Sequence, residues 1–328
     1  MMYCALAAFA IVLHGCGAQT LPLPHNLPGV TEFQVGISSG PISIVAGPDG
    51  NLWFTEGQAF SINRIGRLTT NGTLTEFSSG ISSASAANGI AKGLDGNLWF
   101  TEETGSRVGR ITTAGVVTEF AAGITPGSRP FDITAGPDGN LWFTELVGNQ
   151  IGRITPSGTV TEFSAGISAN SQPFSIAAGP DGNLWFTEQS GDRIGRITPS
   201  GTVTEFSAGI TAGSGPRGIA LGPDGNLWFT EFNVSRIGRI TTSGTITEFS
   251  TGISANSRPY GITAGPDGNL WFTEFMVSRI GRITPSGTVT EFSNGITPGA
   301  GLFSIATGSD GNLWFTENLI NSVGRLTP

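Results

Sequence analysis

Histidine, cysteine and lysine are almost missing from this 328-residue chain. Its two histidines, His14 and His25, and its two cysteines, Cys4 and Cys16, all fall before residue 26, and Lys92 is the single lysine. Beyond that point the chain has no thiolate for a disulfide or a metal, and no imidazole for proton transfer near neutral pH. Charged residues make up only 12% of the chain, with a formal charge of −8. Phosphate backbones are held by clustered Lys and Arg, so this balance argues against a nucleic-acid partner. Long apolar runs of helical period are missing too. Short clusters of Thr, Val, Ile, Phe and Trp stand between turns built from 50 glycines and 19 prolines, which is the pattern of an all-β chain.

The one continuous apolar run is Ala5 to Leu13. It suits the core of a secretory signal over residues 1–18 and is too short for a comfortable membrane span. Leu13-His14-Gly15-Cys16 resembles a bacterial lipoprotein signal, in which Cys16 would carry the lipid; cleavage after Ala18 gives an ordinary signal instead. The first three residues carry no Lys or Arg. The expected organisation is a signal over 1–18, a leader over 19–28 and a folded unit over 29–328. The expected localisation is secreted, periplasmic or bacterial cell-surface, with membrane attachment only through Cys16.

What is abundant is repetition. Asp-Gly-Asn-Leu-Trp-Phe-Thr-Glu occurs seven times, beginning at Asp49, Asp95, Asp138, Asp181, Asp224, Asp267 and Asp310, and it holds all seven tryptophans. After a first step of 46 residues the spacing is 43 throughout. Residues 173–206 divide at turn residues into four short runs, the content of one propeller blade. The sequence therefore predicts a seven-bladed β-propeller of four-stranded blades. Leu184-Trp185-Phe186 is apolar at three successive positions, as a strand covered on both faces should be. Gly195 and its six counterparts sit mid-strand, where a close approach is expected, by an indole. Thr31-Glu32-Phe33 precedes the first Trp unit while nothing equivalent follows the last. An N-terminal strand near Thr31 is thus expected to complete the final blade and hide both sheet edges.

Self-comparison separates scaffold from site. Of 24 acids, 21 belong to three seven-fold sets, and 12 of the 16 bases are the repeated Arg of Arg-Ile-Gly-Arg. Those charges are expected to pair and cap within and between blades. Asp-Gly-Asn looks like part of a calcium loop but lacks its further acids, so no metal is implied. The charges outside the sets are Lys92, Glu103, Arg129, Asp132, Asp192, Arg217 and Arg258. Most lie in the connections that propeller topology gathers on one face. Phe131, Phe174, Arg217, Tyr260 and Phe303 occupy the slot after the residue that opens an inner strand, with Phe232 and Phe275 starting neighbouring loops. These seven form the candidate site, a channel mouth suited to a flat apolar or anionic ligand or a peptide, or else an aromatic plug. No cofactor is expected, and a monomer is.

The repeated Leu-Trp-Phe-Thr-Glu, the Arg-Ile-Gly-Arg-Ile-Thr and Gly-x-x-Thr-Glu-Phe runs and the Pro-x-x-Ile-Thr-x-Gly strands together resemble the virginiamycin B lyase (streptogramin lyase) group of seven-bladed propellers, over about residues 28–328. That resemblance implies opening of a cyclic depsipeptide by elimination at its ester, with Mg2+ and two histidines at the channel mouth. The histidine slots hold Tyr260 and Phe303 here, and Gly301 stands where the family has a metal-binding Glu. Glu317 matches a second expected carboxylate. The resemblance leaves enzyme activity open. A non-catalytic module that binds a small molecule, peptide or protein on the variable face is the first expectation, and a C–O lyase, in which Glu103, Asp192 or Glu317 replaces the missing bases, is the second.

Overall fold

The computed structural model describes residues 29–34, 36–57, 63–83 and 85–328. Among them, 28 strands form seven four-stranded antiparallel sheets. The expected signal and leader, with Cys16, His14 and His25, lie outside the described residues, as do residues 58–62 of the longer first repeat. In the fourth blade the strands are Pro173–Ala178, Leu184–Glu188, Arg193–Ile197 and Val203–Phe206, in spatial as well as chain order. Each inner strand packs against the inner strands of both neighbouring blades, the last against the first, so the ring is closed. The seam lies where the chain ends predict: Gly29–Phe33 pairs antiparallel with Ser322–Thr327, from Gly29 opposite Thr327 to Phe33 opposite Val323. The only helical element among the described residues is a 3-10 turn at Asn318–Ile320.

The core lies between blades. Trp142 and Ile151 of the third blade pack on Ile176, Leu184, Phe186 and Ile197 of the fourth, and the same cluster recurs around the ring. All seven tryptophans and the phenylalanines that follow them are completely buried. Each such pair stabilises a blade by several kcal/mol (~25 cal/mol per Å²) before chain entropy is subtracted.

The mid-strand glycine lies under a phenyl ring rather than the expected indole. Gly195 faces Phe186 directly across the ladder, and a Cβ there would stand 2.1 Å from the ring. Trp185 projects from the other face, opposite Arg196, where it stacks on Phe206 with centroids 5.5 Å apart. The Arg196 guanidinium lies over both rings, 5.5 and 5.6 Å from their centroids, and donates to Thr242 O of the next blade. Asp181 caps its turn through Asn183 and accepts the Trp185 indole N–H at 3.1 Å. The repeated Asp and the second repeated Arg are thus structural, as the seven-fold pattern implies.

Candidate binding site at the channel mouth

Every inner strand begins with an irregularity of register, in the fourth blade between Pro173 and Ile176. A bulge of this kind leaves backbone groups without ladder partners. The Thr of Trp-Phe-Thr-Glu supplies them. Thr187 Oγ1 accepts Ser175 N of its own blade at 3.0 Å and donates to Arg217 O of the next at 2.6 Å. Thr230 does the same for Tyr260 O at 2.8 Å, and Thr273 for Phe303 O at 2.8 Å. Seven such hydroxyls fix the backbone of the seven residues that ring the axis.

The structure brings all seven candidate residues into one network. Phe131 and Phe174 have ring centroids 4.3 Å apart, Phe174 and Tyr260 5.9 Å, Tyr260 and Phe303 4.6 Å, Phe232 and Tyr260 5.9 Å, and Phe275 and Phe303 5.2 Å. Arg217 sits among them, its guanidinium carbon 3.5 Å from the Phe232 centroid, 4.9 Å from Tyr260 and 5.2 Å from Phe174. Its Nε is buried with no acceptor, and no ion pair reaches it among the described residues. Burial holds its pKa below the ordinary value. Burial likewise pushes the Tyr260 phenol to about 12, so this hydroxyl donates hydrogen bonds and does not take protons at neutral pH.

Sequence reasoning missed two members of the ring. Ile42 and Asn88 occupy the same slot in the first two blades and line the channel. Asn88 donates to Glu103 at 3.0 Å, and Glu103 is ion-paired with Arg129. The mouth therefore has a polar arc, Asn88 with Glu103 and Arg129, over the second and third blades, and an aromatic, cationic arc that runs from Phe131 of the third blade to Phe303 of the seventh. Aligning the repeats by the residue before Phe131 would have found both positions, although Ala87 replaces the usual proline.

Below the mouth, a cavity of about 170 Å³ runs along the axis, lined by Asp132, Ser175, Ser304 and the undersides of the aromatics. Asp132 accepts from Ser175 Oγ at 2.6 Å and from Ile176 N at 3.0 Å. Burial raises its pKa, and those hydrogen bonds offset part of the rise.

The residue before the inner strand is left-handed in six of the seven blades, all but the first. Gly215 and Gly301 take φ of +60° and +64° there, but Arg129, Gln172 and Arg258 adopt +59°, +56° and +54° in the same slot. A long side chain held left-handed costs on the order of 1–3 kcal/mol. Three blades bear that strain to present two arginines and a glutamine around the mouth.

Of the other sequence candidates, Asp192 caps the incoming loop through Gly213 N at 2.6 Å and Gly215 N at 3.0 Å. Glu317 is completely buried at the seam. Lys92 ends its strand opposite Leu98, at the far end of the ring, while the other odd charges are at the loop end or in the channel. The set to which Glu317 belongs departs from simple charge pairing. All seven Glu of Trp-Phe-Thr-Glu are completely buried, and each faces the Glu of the outer strand, as Glu188 faces Glu205 and Glu317 faces Glu32. Burial first, then the facing acid in most blades, raises their pKa to between about 7 at Glu145 and about 9 at Glu231. With a proton on one member, two carboxyls can share a hydrogen bond, which accounts for oxygens that find no donor when both are counted as ionised.

With this geometry in place, the chain can be set beside known proteins. The model of the virginiamycin B lyase family matches residues 28–254 and, again, 212–328. A streptogramin B lyase structure is 36% identical, with a TM-score of 0.84 over 92% of this chain and 97% of that one. Virginiamycin B lyase from Staphylococcus aureus is 38% identical, with a TM-score of 0.84 over 92% and 100% of the two chains. A catalytically inactive form of it with quinupristin aligns equally well. The WD40 propeller domain of Doa1, at 12% identity and a TM-score of 0.73, shares the fold alone. No curated protein matches.

Proposed function

That this chain belongs to the virginiamycin B lyase family is the premise from which we propose a different use of the fold: a non-catalytic propeller that binds a ligand at the channel mouth. One observation carries this reading. The two slots where the family resemblance expects histidine hold Tyr260 and Phe303, whose rings pack together at 4.6 Å. A phenyl ring has no proton site, and the Tyr260 phenol is pushed up to about 12. Abstracting a proton beside a carbonyl needs a base that titrates near the working pH. Glu103 is held by Asn88 and Arg129, Asp192 by backbone amides, and Glu317 lies sealed in the seam. The ligand reading needs no such base. It uses the loop face, where the arginines and aromatics of five blades converge. The protein is further proposed to act outside the cytoplasm, with residues 1–18 as its signal.

A second reading rests on the 36–38% identity to streptogramin and virginiamycin B lyases over 92% of the chain: a C–O lyase that linearises a streptogramin B-type depsipeptide with Mg2+. Mass spectrometry of a streptogramin B incubated with the protein and Mg2+ decides between them. The binding reading expects the intact ring after long incubation at high protein concentration. Linear product above the protein-free control overturns it. Fractionation of cells expressing the full chain and a form without residues 1–18 tests export, and equal cytoplasmic retention of both would refute it.

A further inference from the structure

Two guanidiniums at the mouth that have no acid partner converge on one ring. Arg217 lies 3.5 Å and Arg258 5.2 Å from the Phe232 centroid. Neither forms an ion pair among the described residues, whereas Arg129, the third arginine at the mouth, is paired with Glu103. Two like charges at close quarters, one of them substantially buried, repel each other and lack counter-charge. Arg258 moreover takes a left-handed backbone in a slot that Gly215 and Gly301 fill elsewhere, so its side chain is presented at a cost in strain. Beside these charges lies an apolar shelf. Phe275 N and Met276 N bond to Arg258 O and Ser257 O, and Phe275 and Leu319 flank Gly301. Met276 and Leu319 are each 55% exposed.

We propose that the mouth binds a small organic monoanion, a carboxylate on an apolar body: Arg217 and Arg258 take the carboxylate, and Phe275, Met276 and Leu319 take the body. Planar guanidiniums match the paired oxygens of a carboxylate. The shelf favours an apolar body over a bare phosphate. This assignment rests on the binding reading above and names the chemistry of its ligand.

The test uses 4-phenylbutyrate, its neutral amide and inorganic phosphate as calorimetric probes of the intact protein. The acid is expected to bind at least about tenfold more tightly than the amide, the difference that one satisfied charge pair makes. Arg258→Met, at an exposed position, and Arg217→Met, which keeps the packing volume, should each weaken the acid by about tenfold and leave the amide unchanged. Arg129→Met should change neither, because its charge is already answered. Unchanged melting temperatures identify variants that fold. If acid and amide bind equally and Met276→Asp abolishes both, the anion assignment falls while the binding site stands. Phosphate binding more tightly than the acid overturns the carboxylate class. If neither organic probe binds at millimolar concentration, the assignment falls outright, and linear product in the depsipeptide assay would separately remove the reading beneath it.

Discussion

Replacing Glu188 by glutamine should make the protein more stable at pH 8 and leave it nearly unchanged at pH 5. Glu188 is completely buried, and it faces Glu205, the Arg193 guanidinium at 3.9 Å and Ser171. Burial and the facing acid raise its pKa from 4.5 to about 8. Below pH 4.5 folded and unfolded chains both hold the proton, so its contribution is fully present. As pH rises towards 8 the unfolded chain has released a proton that the folded chain still holds. Stability then falls by about 1.4 kcal/mol per pH unit for each proton so held. Over pH 5–8 the ceiling for one site is about 4 kcal/mol, and sharing of the proton within the pair brings the expected gain nearer 1–2 kcal/mol. Glutamine keeps the shape and a donor towards Glu205 but never ionises. Urea unfolding at several pH values should show the wild type losing stability from pH 5 to pH 8, and the variant losing less. Parallel curves would mean that Glu188 is ionised in the fold, and the protonated-pair argument would fail for all seven blades.

Gly195→Ala puts a methyl group 2.1 Å from the Phe186 ring and should cost at least about 2 kcal/mol; a melting temperature within a degree or two of wild type would contradict the packing described. Thr187→Val strips partners from Ser175 N and Arg217 O. It should destabilise by about 1–3 kcal/mol and weaken 4-phenylbutyrate binding more than the same change at Thr55, which supports Asn88 on the polar arc; equal effects at the two sites would argue against a rivet that positions Arg217. Removing Gly29–Phe33 with everything before it exposes the Ser322–Thr327 edge and takes away Phe33, stacked on Trp314 at 5.2 Å. Unfolding or oligomerisation on size exclusion is expected, and a monomer with an unchanged melting temperature would refute the seam.

The ring was legible because its period is written in Trp, which occurs only in the repeated motif, and because Thr31-Glu32-Phe33 stands out of phase with the last unit. The gathering of odd charges followed from topology: antiparallel strands put alternate connections at opposite ends. Which aromatic covers Gly195 was not legible. Leu184-Trp185-Phe186 is buried on both faces, so the alternation that would assign each ring to a face is absent, and only the register shows Phe186 opposite Gly195. The bulge under Phe174 leaves no mark in composition, so the Thr187 hydroxyl looked like an ordinary strand position. Glu188 and its counterparts were expected to pair and cap as ionised groups, because glutamate is seldom fully buried. Their burial is collective, each pocket being closed by the neighbouring blade and an outer-strand acid. A formal charge of −8 consequently overstates how acidic the folded molecule is near neutrality.

The pairing of Gly29 with Thr327 also settles an orientation. Gly29 and Thr327 sit side by side at the tight-turn end of the toroid, opposite the crown of arginines and rings. A tether of any kind, lipid, linker or fusion partner, joined at Gly29 or Thr327 would therefore hold the molecule by its base, with the mouth facing outward to the surrounding medium. Immobilised at Gly29 on a sensor chip, the propeller should leave its crown free to sample solution, whereas a graft into the loop after Trp-Phe-Thr-Glu would turn that crown toward the support.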